Sequence, residues 1–391
     1  MSKPSKFVIL IGLVCIFTLS ACGPGAPPEA VEVEQATPSE PEPTQPPPPT
    51  NTPVPTPTPA PPTETPLPTE TPTPAVQLSG LSPDPQRVEF QAEDGKNLVG
   101  YYYPSRYADS PVVVLMHWVV GDLCDWRDIA TWLQNRADEN PAVLERCVDI
   151  EALWTRGDAP WWDSSWFPPM PEGASFAVFT FDFRDFGESQ AGLGAPSEWA
   201  RDAVAAYQTA AGMEANLRAQ NALQGGIKLV AQDLQEAEPV PVVGGGSSIA
   251  ADAVVTAIYR AIREQMANPG AEVAALDIFP GILPGYRVQD AATTARYAGA
   301  FSWSPGNYLD NDYAAEVKYL AELETPIPVW CLAGEEDYSA GICEQASAYL
   351  DRKQIYPDTK DHGNFLISPF YDPNSLVLFL EFLEMTVGFE P

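Results

Sequence analysis

Positive charge is scarce in this 391-residue chain. Its 21 lysines and arginines face 53 aspartates and glutamates, for a net charge of −32 and a pI near 4.2. So few cations cannot displace the counterions of a nucleic acid backbone, which excludes nucleic acid as a partner class. Nor do they offer an electrostatic grip on anionic lipid. Histidine is scarcer still, at two residues, and cysteine stops at six. The cysteine spacings are wrong for a four-thiolate knuckle, so a zinc site is only the weaker competing reading and no metal is expected. No Gly-x-Gly-x-x-Gly runs from a strand into a helix, and no dinucleotide or other cofactor is expected. Long apolar runs are missing too. The one conspicuous run, Phe7 to Leu19, has 13 residues, too few for an ordinary membrane span.

That run has the length of a signal-peptide core. Lys3 and Lys6 precede it and Leu19-Ser20-Ala21-Cys22 ends it. The arrangement resembles the lipobox of bacterial lipoproteins. The resemblance implies a signal peptide over residues 1–21, a lipid (palmitate among its chains) on an N-terminal Cys22, and a lipid-anchored place on the bacterial cell surface or the outer face of the cytoplasmic membrane. Membrane contact would then be made through that lipid alone. An ordinary secretory signal with an incidental Cys22, or an uncleaved anchor, would still export the chain. Residues 23–77 hold 20 prolines and 11 threonines in 55 positions, with no lysine or arginine. Alternating Thr-Pro favours polyproline II and cannot build a core. Residues 22–77 therefore read as the lipidated cysteine and a disordered stalk, reaching roughly 170 Å at about 3.1 Å per residue if fully extended.

Residues 78–391 form the remaining domain, with 19 basic and 46 acidic side chains. Its four cysteines allow three pairings, and in an exported chain the local pairs Cys124–Cys147 and Cys331–Cys343 are expected. Residues 87–92 and 97–103 read as a hairpin around Asp94-Gly95. Short apolar strands follow at 112–116, 176–181, 240–243, 272–278, 327–333 and 353–356. Helical spacing is read near 125–137, 198–212, 217–236, 248–267, 311–323, 339–350 and 374–386. Continuous β-branched runs alternating with helices predict an α/β fold with a mostly parallel central sheet covered on both faces. An eight-stranded barrel is the weaker alternative, because the first two strands look like a hairpin and the connections are very unequal.

The most informative stretch is Val243-Gly244-Gly245-Gly246-Ser247-Ser248-Ile249-Ala250. A strand turning sharply into a helix needs small residues around a strained central position. Gly246 and Ala250 flank Ser248, which makes it the candidate nucleophile and the Ile249 N–H a candidate oxyanion donor. Ser247 competes, but its flanks are Gly245 and the bulky Ile249. A glycine-rich anion-binding or capping turn is the plain alternative. A serine nucleophile needs a base. His362, in a polar loop after the last strand, is the stronger candidate. His117 closes the strand 112–116. It is a candidate pocket residue whose more natural task is to shape the turn offering the Trp118 or Val119 N–H as a second oxyanion donor. Asp337, just past another strand, is the candidate third member, with Glu336, Glu335 and Asp361 as alternatives.

Together the Ser248 turn, Asp337 and His362 resemble the α/β-hydrolase superfamily over roughly residues 86–388. Further points of resemblance are Met116-His117-Trp118, the run Phe181 to Ser189, and Asp277-Ile278-Phe279-Pro280-Gly281, the last as in dienelactone-hydrolase-like and small esterase branches. The resemblance implies acyl transfer to water through a serine ester, without metal or organic cofactor. Trp118, Asp185 and Ala250 stand where the superfamily has glycine, and an inactive scaffold acting as a binding protein stays open, as does a serine peptidase. The long insertion between residues 116 and 176 carries Trp154, Trp161, Trp162, Trp166 and Phe167, which read either as a pocket wall or as a satellite core. Residues 198–236 read as a cap or covering layer. Asp182 and Arg184 read as loop braces. The acidic surface favours a small neutral ester or lactone as substrate.

Overall fold

The chain of the described domain starts with the expected hairpin, β1 (Gln86–Gln91) against β2 (Asn97–Tyr103), turning at Gly95 with φ +80°. The remaining strands of the main sheet are β3 (Val112–Met116), β6 (Ala177–Asp182), β7 (Val240–Ser247), β8 (Ala295–Trp303), β9 (Val329–Gly334) and β10 (Arg352–Tyr356). A two-stranded ribbon, β4 (Thr155–Arg156) with β5 (Ala159–Pro160), stands apart from it. The computed structural model describes residues 78–147, 155–156, 159–160, 164–189, 196–224, 239–267 and 295–389, all within the unit Pro72–Pro391. The sheet order is β1-β2-β6-β3-β7-β8-β9-β10. Only β2 pairs antiparallel with its neighbours; every other pairing is parallel. The sheet is open, which removes the barrel.

β3, β6 and β9 are buried at every position, as expected of strands covered on both faces. Successive side chains still part to opposite sides. Val112, Val114 and Met116 join a core with α2 (Trp199–Gln224), α3 (Ile249–Ala267), α4 (Tyr313–Ala321) and α5 (Ser339–Ala346). Val113 and Leu115 join a second core with α1 (Arg127–Gln134) and α6 (Ser375–Val387). At the sheet edge β1 alternates buried and exposed residues, since one of its faces meets water.

Three elements differ from expectation. β8 is absent from the sequence reading because Ala-Gly-Ala and Ser dilute its β-forming residues. Gly299 within it is required by packing, since a Cβ there would lie 2.6 Å from Phe382 Cζ. β7 does not end at Val243: Gly244, Gly245 and Gly246 remain paired with β3 and β8, and the turn is confined to Ser248. A Cβ on Gly244 would meet the Tyr207 hydroxyl at 1.7 Å, so the glycine makes room for α2. α2 itself runs unbroken through Gly212 instead of dividing there, and it packs Ala203, Ala206, Tyr207 and Ala210 on the sheet as a covering layer. The expected strand 272–278, the run 277–281 and residues 225–236 lie outside the described residues.

Both expected disulfides are present, Cys124–Cys147 and Cys331–Cys343, with Cα separations of 5.4 and 5.8 Å. The first closes part of the insertion between β3 and β6. The second joins β9 to α5 across the loop that carries Asp337.

Candidate active site

Ser248 is the last residue before α3 and has φ +57°, the left-handed region that costs a non-glycine residue about 1–2 kcal/mol. Its N–H bonds the Trp303 carbonyl at 2.8 Å and its carbonyl accepts the Ala251 N–H at 2.9 Å. Gly246 is the residue that permits this turn, since a Cβ there would fall 2.3 Å from the Ala250 carbonyl oxygen. The result lifts the Ser248 hydroxyl off the end of the strand, where it is nearly buried.

His362 reaches the same point from the loop after β10. Its Nε2 lies 2.7 Å from Ser248 Oγ, and its Nδ1 lies 2.7 Å from Asp337 Oδ2. The loops behind these two residues are zipped together: Glu335 N–H bonds the Tyr356 carbonyl and Glu336 N–H bonds the Thr359 carbonyl, both at 2.8 Å. Gly334 must be glycine there, because a Cβ would meet the Thr359 carbonyl oxygen at 2.7 Å. On the far side Gly363 N–H bonds Ser304 Oγ at 2.9 Å, which pins the backbone beside the imidazole.

Burial pushes the Asp337 carboxyl up, but the hydrogen bond and charge of His362, with the Ser339 and Ser304 hydroxyls, outweigh it and hold the group below its ordinary range. The alternatives to Asp337 are engaged elsewhere. Glu335 and Glu336 are exposed, Glu335 accepts the Asp358 N–H, and the Asp361 carboxylate accepts the Tyr371 hydroxyl. Ser247 is fully buried, and it is the Ser248 hydroxyl that bonds the imidazole.

His117 is a correction in one respect. It is fully buried, enclosed by Phe183, Phe186 and Trp199 at 5.1–5.7 Å, where the aromatic rings occupy its surroundings. Its Nε2 accepts the Phe183 N–H at 3.1 Å, so Nδ1 carries the proton and donates it to the Trp118 carbonyl at 2.7 Å. Burial lowers its pKa and keeps it neutral. It fixes the turn 117–121, which also closes through Gly121 N–H to the Trp118 carbonyl at 3.2 Å. The Trp118 indole packs edge-on against Phe365 at 5.6 Å, and a Cβ on Gly363 would meet it at 3.2 Å. Its bulk is thus placed on the turn that follows His362. Val119 is about half exposed, and Ile249 is buried at the start of α3, whose first N–H groups have no carbonyl partner within the helix.

Asp185 takes φ +72°, the conformation glycine would supply and one that aspartate tolerates better than most residues. Asp182 and Arg184 brace loops, but not through each other. Asp182 binds Arg146 at 2.9 Å and accepts the Leu123 and Glu188 N–H groups, while Arg184 binds Asp202 and Asp94. Trp166 is half-buried against Phe370, and Phe167 packs on Trp132 against the second core. Trp154, Trp161 and Trp162 lie outside the described residues, as does Cys22. Among the described residues no cluster of histidine, cysteine and carboxylates could hold a metal ion, and no helix is long and apolar enough to cross a membrane.

Four residues around the imidazole escape the sequence reading. Tyr338 stacks on His362 at 5.9 Å with 25° between the rings, and Tyr308 crosses Tyr338 edge-on at 5.7 Å. Ser304 holds Gly363. Asp252, one turn along α3 from Ser248, is fully buried and accepts the Gly306 and Tyr308 N–H groups, both at 2.7 Å. Burial raises the Asp252 pKa well above the usual range, against the opposing bond from Gly306. Only the place of Tyr308 just past a strand could have flagged it, and that strand, β8, went unread.

No known protein family matches the sequence, and no curated protein matches it either. Among solved structures the chain is similar to the Pyrococcus furiosus esterase Pf2001, at 14% identity over 78% of this chain and 94% of that one, with a TM-score of 0.40. It is similar to an α/β hydrolase from Novosphingobium aromaticivorans at 15% identity, over 78% and 99% of the two chains, with a TM-score of 0.37. The Thermogutta terrifontis esterase Est2 gives 12% identity, 79% and 97% coverage and a TM-score of 0.39. Likenesses this distant carry no argument about chemistry. The internal features of the chain do more. A mostly parallel eight-stranded sheet covered on both faces, a left-handed turn at Ser248 after β7, and an aspartate and a histidine following past β9 and β10 give it the α/β-hydrolase fold.

Proposed function

We propose that the protein is a serine hydrolase that cleaves a small neutral ester or lactone through Ser248, His362 and Asp337. The observation that carries the reading is the unbroken chain from Ser248 Oγ to His362 Nε2 and from His362 Nδ1 to Asp337 Oδ2, with both links at 2.7 Å. In this mechanism His362 takes the Ser248 proton as Oγ attacks the carbonyl carbon, and the ionised Asp337 fixes the imidazole tautomer and steadies the imidazolium. The Ile249 N–H, with that of Trp118 or Val119, would face the developing oxyanion, and removing such a donor costs about 10²–10³ in rate in comparable sites. The alkoxide leaves with the proton from Nε2, and water repeats the sequence on the acyl-Ser248 ester. The strained φ of Ser248 supports this role, because such strain persists where the surrounding structure over-determines it and function uses it.

Export and lipidation at Cys22 belong to the same proposal, supported by the Lys3–Cys22 pattern and by two disulfides suited to an oxidising compartment. The experiment is a fluorophosphonate probe on the full-length oxidised protein, with peptide mass spectrometry and Ser248→Ala alongside. Stoichiometric labelling at Ser248 that is lost in the variant is expected. A folded protein that stays unlabelled would sink the reading in favour of a binding scaffold, and labelled enzyme that cleaves peptides but no ester would make it a peptidase.

A further inference from the structure

Beside the Ser248–His362 bond stands a group the triad does not use. Tyr308 follows β8, and its hydroxyl lies 3.5 Å from His362 Nε2. That nitrogen is already committed to Ser248 Oγ at 2.7 Å, so the phenol stands next to the bond rather than within it. Among the described residues the Tyr308 hydroxyl has no other hydrogen-bond partner. The ring is nonetheless held in place. Asp252 fixes the backbone of Gly306 and Tyr308, Asn307 Oδ1 accepts the Tyr313 N–H at 3.0 Å, and Tyr338 packs edge-on at 5.7 Å. A Cβ on Gly306 would fall 2.5 Å from the Tyr338 hydroxyl and 2.6 Å from the Tyr308 ring, so the glycine leaves the space both rings occupy. A buried carboxylate, a glycine and two tyrosines thus aim one hydroxyl at the atom through which the proton must pass.

We propose that Tyr308 is a catalytic residue that donates a hydrogen bond to the departing oxygen of the substrate. The inference rests on the serine-hydrolase reading above. When the tetrahedral intermediate collapses, the bond from the former carbonyl carbon to the leaving oxygen breaks and its electron pair goes to that oxygen. The oxygen receives the proton that Nε2 took from Ser248 Oγ, which yields the free alcohol and acyl-Ser248. To receive it, the oxygen must come within about 3 Å of Nε2. A leaving oxygen that arrives on the side of the phenol, which is 3.5 Å from the same nitrogen, comes within its reach, and the phenol stabilises the charge that builds there while keeping its own proton. The benefit grows with the basicity of the leaving oxygen. It is therefore largest for esters of ordinary alcohols and smallest for activated phenyl esters, which makes Tyr308 a specificity device for unactivated alkyl esters.

The test is Tyr308→Phe in the full-length oxidised protein, which keeps the ring and its contact with Tyr338. A butyrate series with p-nitrophenol, phenol, trifluoroethanol and ethanol as leaving groups would be assayed for kcat/KM. The p-nitrophenyl ester is expected to lose less than about threefold and the ethyl ester about tenfold to a hundredfold, so that the dependence on leaving-group acidity steepens. Fluorophosphonate labelling of Ser248 is expected to be unchanged. An equal loss across the series, or none, overturns the proposal and makes Tyr308 a wall. Absence of labelling in the unsubstituted protein overturns the serine-hydrolase reading itself, and the role of Tyr308 with it.

Discussion

Glu214, which takes no part in the triad, should make the protein lose stability as pH rises from about 4.5 toward 7. It lies on α2, fully buried, where it accepts the Tyr102 hydroxyl and faces Arg218, whose Nε is 3.6 Å away. Burial pushes its carboxyl up from 4.5 to about 7, against the pull of Arg218 and the Tyr102 bond. In the unfolded chain the group ionises near its ordinary value. Between those two pH values the folded protein therefore holds a proton that the unfolded chain has released, and stability falls as pH rises across the window. The span from 4.5 to about 7 corresponds to roughly 3 kcal/mol, fully present below pH 4.5 and gone above about pH 7. Glu214→Gln removes the titration and keeps an acceptor for Tyr102. Urea unfolding of the oxidised protein at pH 5 and pH 8 reads the effect. The parent should lose about 2.5 kcal/mol more than the variant over that interval, since pH 5 already lies above 4.5, and the comparison cancels the general self-repulsion of an acidic chain. Parallel losses in the two proteins would refute the account of Glu214.

Asp337→Asn should leave folding intact and lower kcat by about 10⁴ while KM changes little, since it spoils the imidazole tautomer without moving substrate contacts; steady-state kinetics on p-nitrophenyl butyrate would show it. Gly246→Ala drives a Cβ to 2.3 Å from the α3 backbone and should cost about 1–3 kcal/mol or more together with activity, read by thermal melts and turnover. Gly341→Ala, within α5 and with nothing near its missing Cβ, should instead stabilise by about 0.5–1 kcal/mol in the same melts. Removing the Cys331–Cys343 bridge as the double alanine variant should cost about 3 kcal/mol and lower kcat more than KM, because the closed loop contains Asp337.

The strands buried on both faces were legible because burial on both faces leaves an uninterrupted apolar run, as in Val112–Met116. The serine turn was legible because strained geometry demands small neighbours. β8 was not, since Tyr297, Phe301 and Trp303 are spread among small residues that answer to neighbouring helices and not to strand propensity, Gly299 to α6 and Ser302 to the Ala251 carbonyl of α3. The three glycines of β7 illustrate the same limit: residue type announces closeness, but whether the close neighbour is a turn or another helix is decided in space. His117 shows its chemistry and its place at a strand end in the sequence, yet its environment of Phe183, Phe186 and Trp199 comes from two distant parts of the chain. Tyr308 and Asp252 were beyond reach for that reason too, since 56 residues separate them and nothing local links a helical aspartate to a loop amide.

The two amides that Asp252 accepts also set how the protein would sort substrates by size. Asp252 is on α3, which begins directly after Ser248, so its two hydrogen bonds tie the loop bearing Tyr308 to the helix that follows the serine. Swinging that loop aside to admit a bulkier alcohol would tilt the helix and carry the hydroxyl away from His362. Selection on the leaving-group side is then a threshold rather than a slope. Under the proposed ester cleavage, alcohols that fit beside Tyr308 would react at rates governed by their acidity, and bulkier ones would fall away abruptly instead of being met by gradual adjustment.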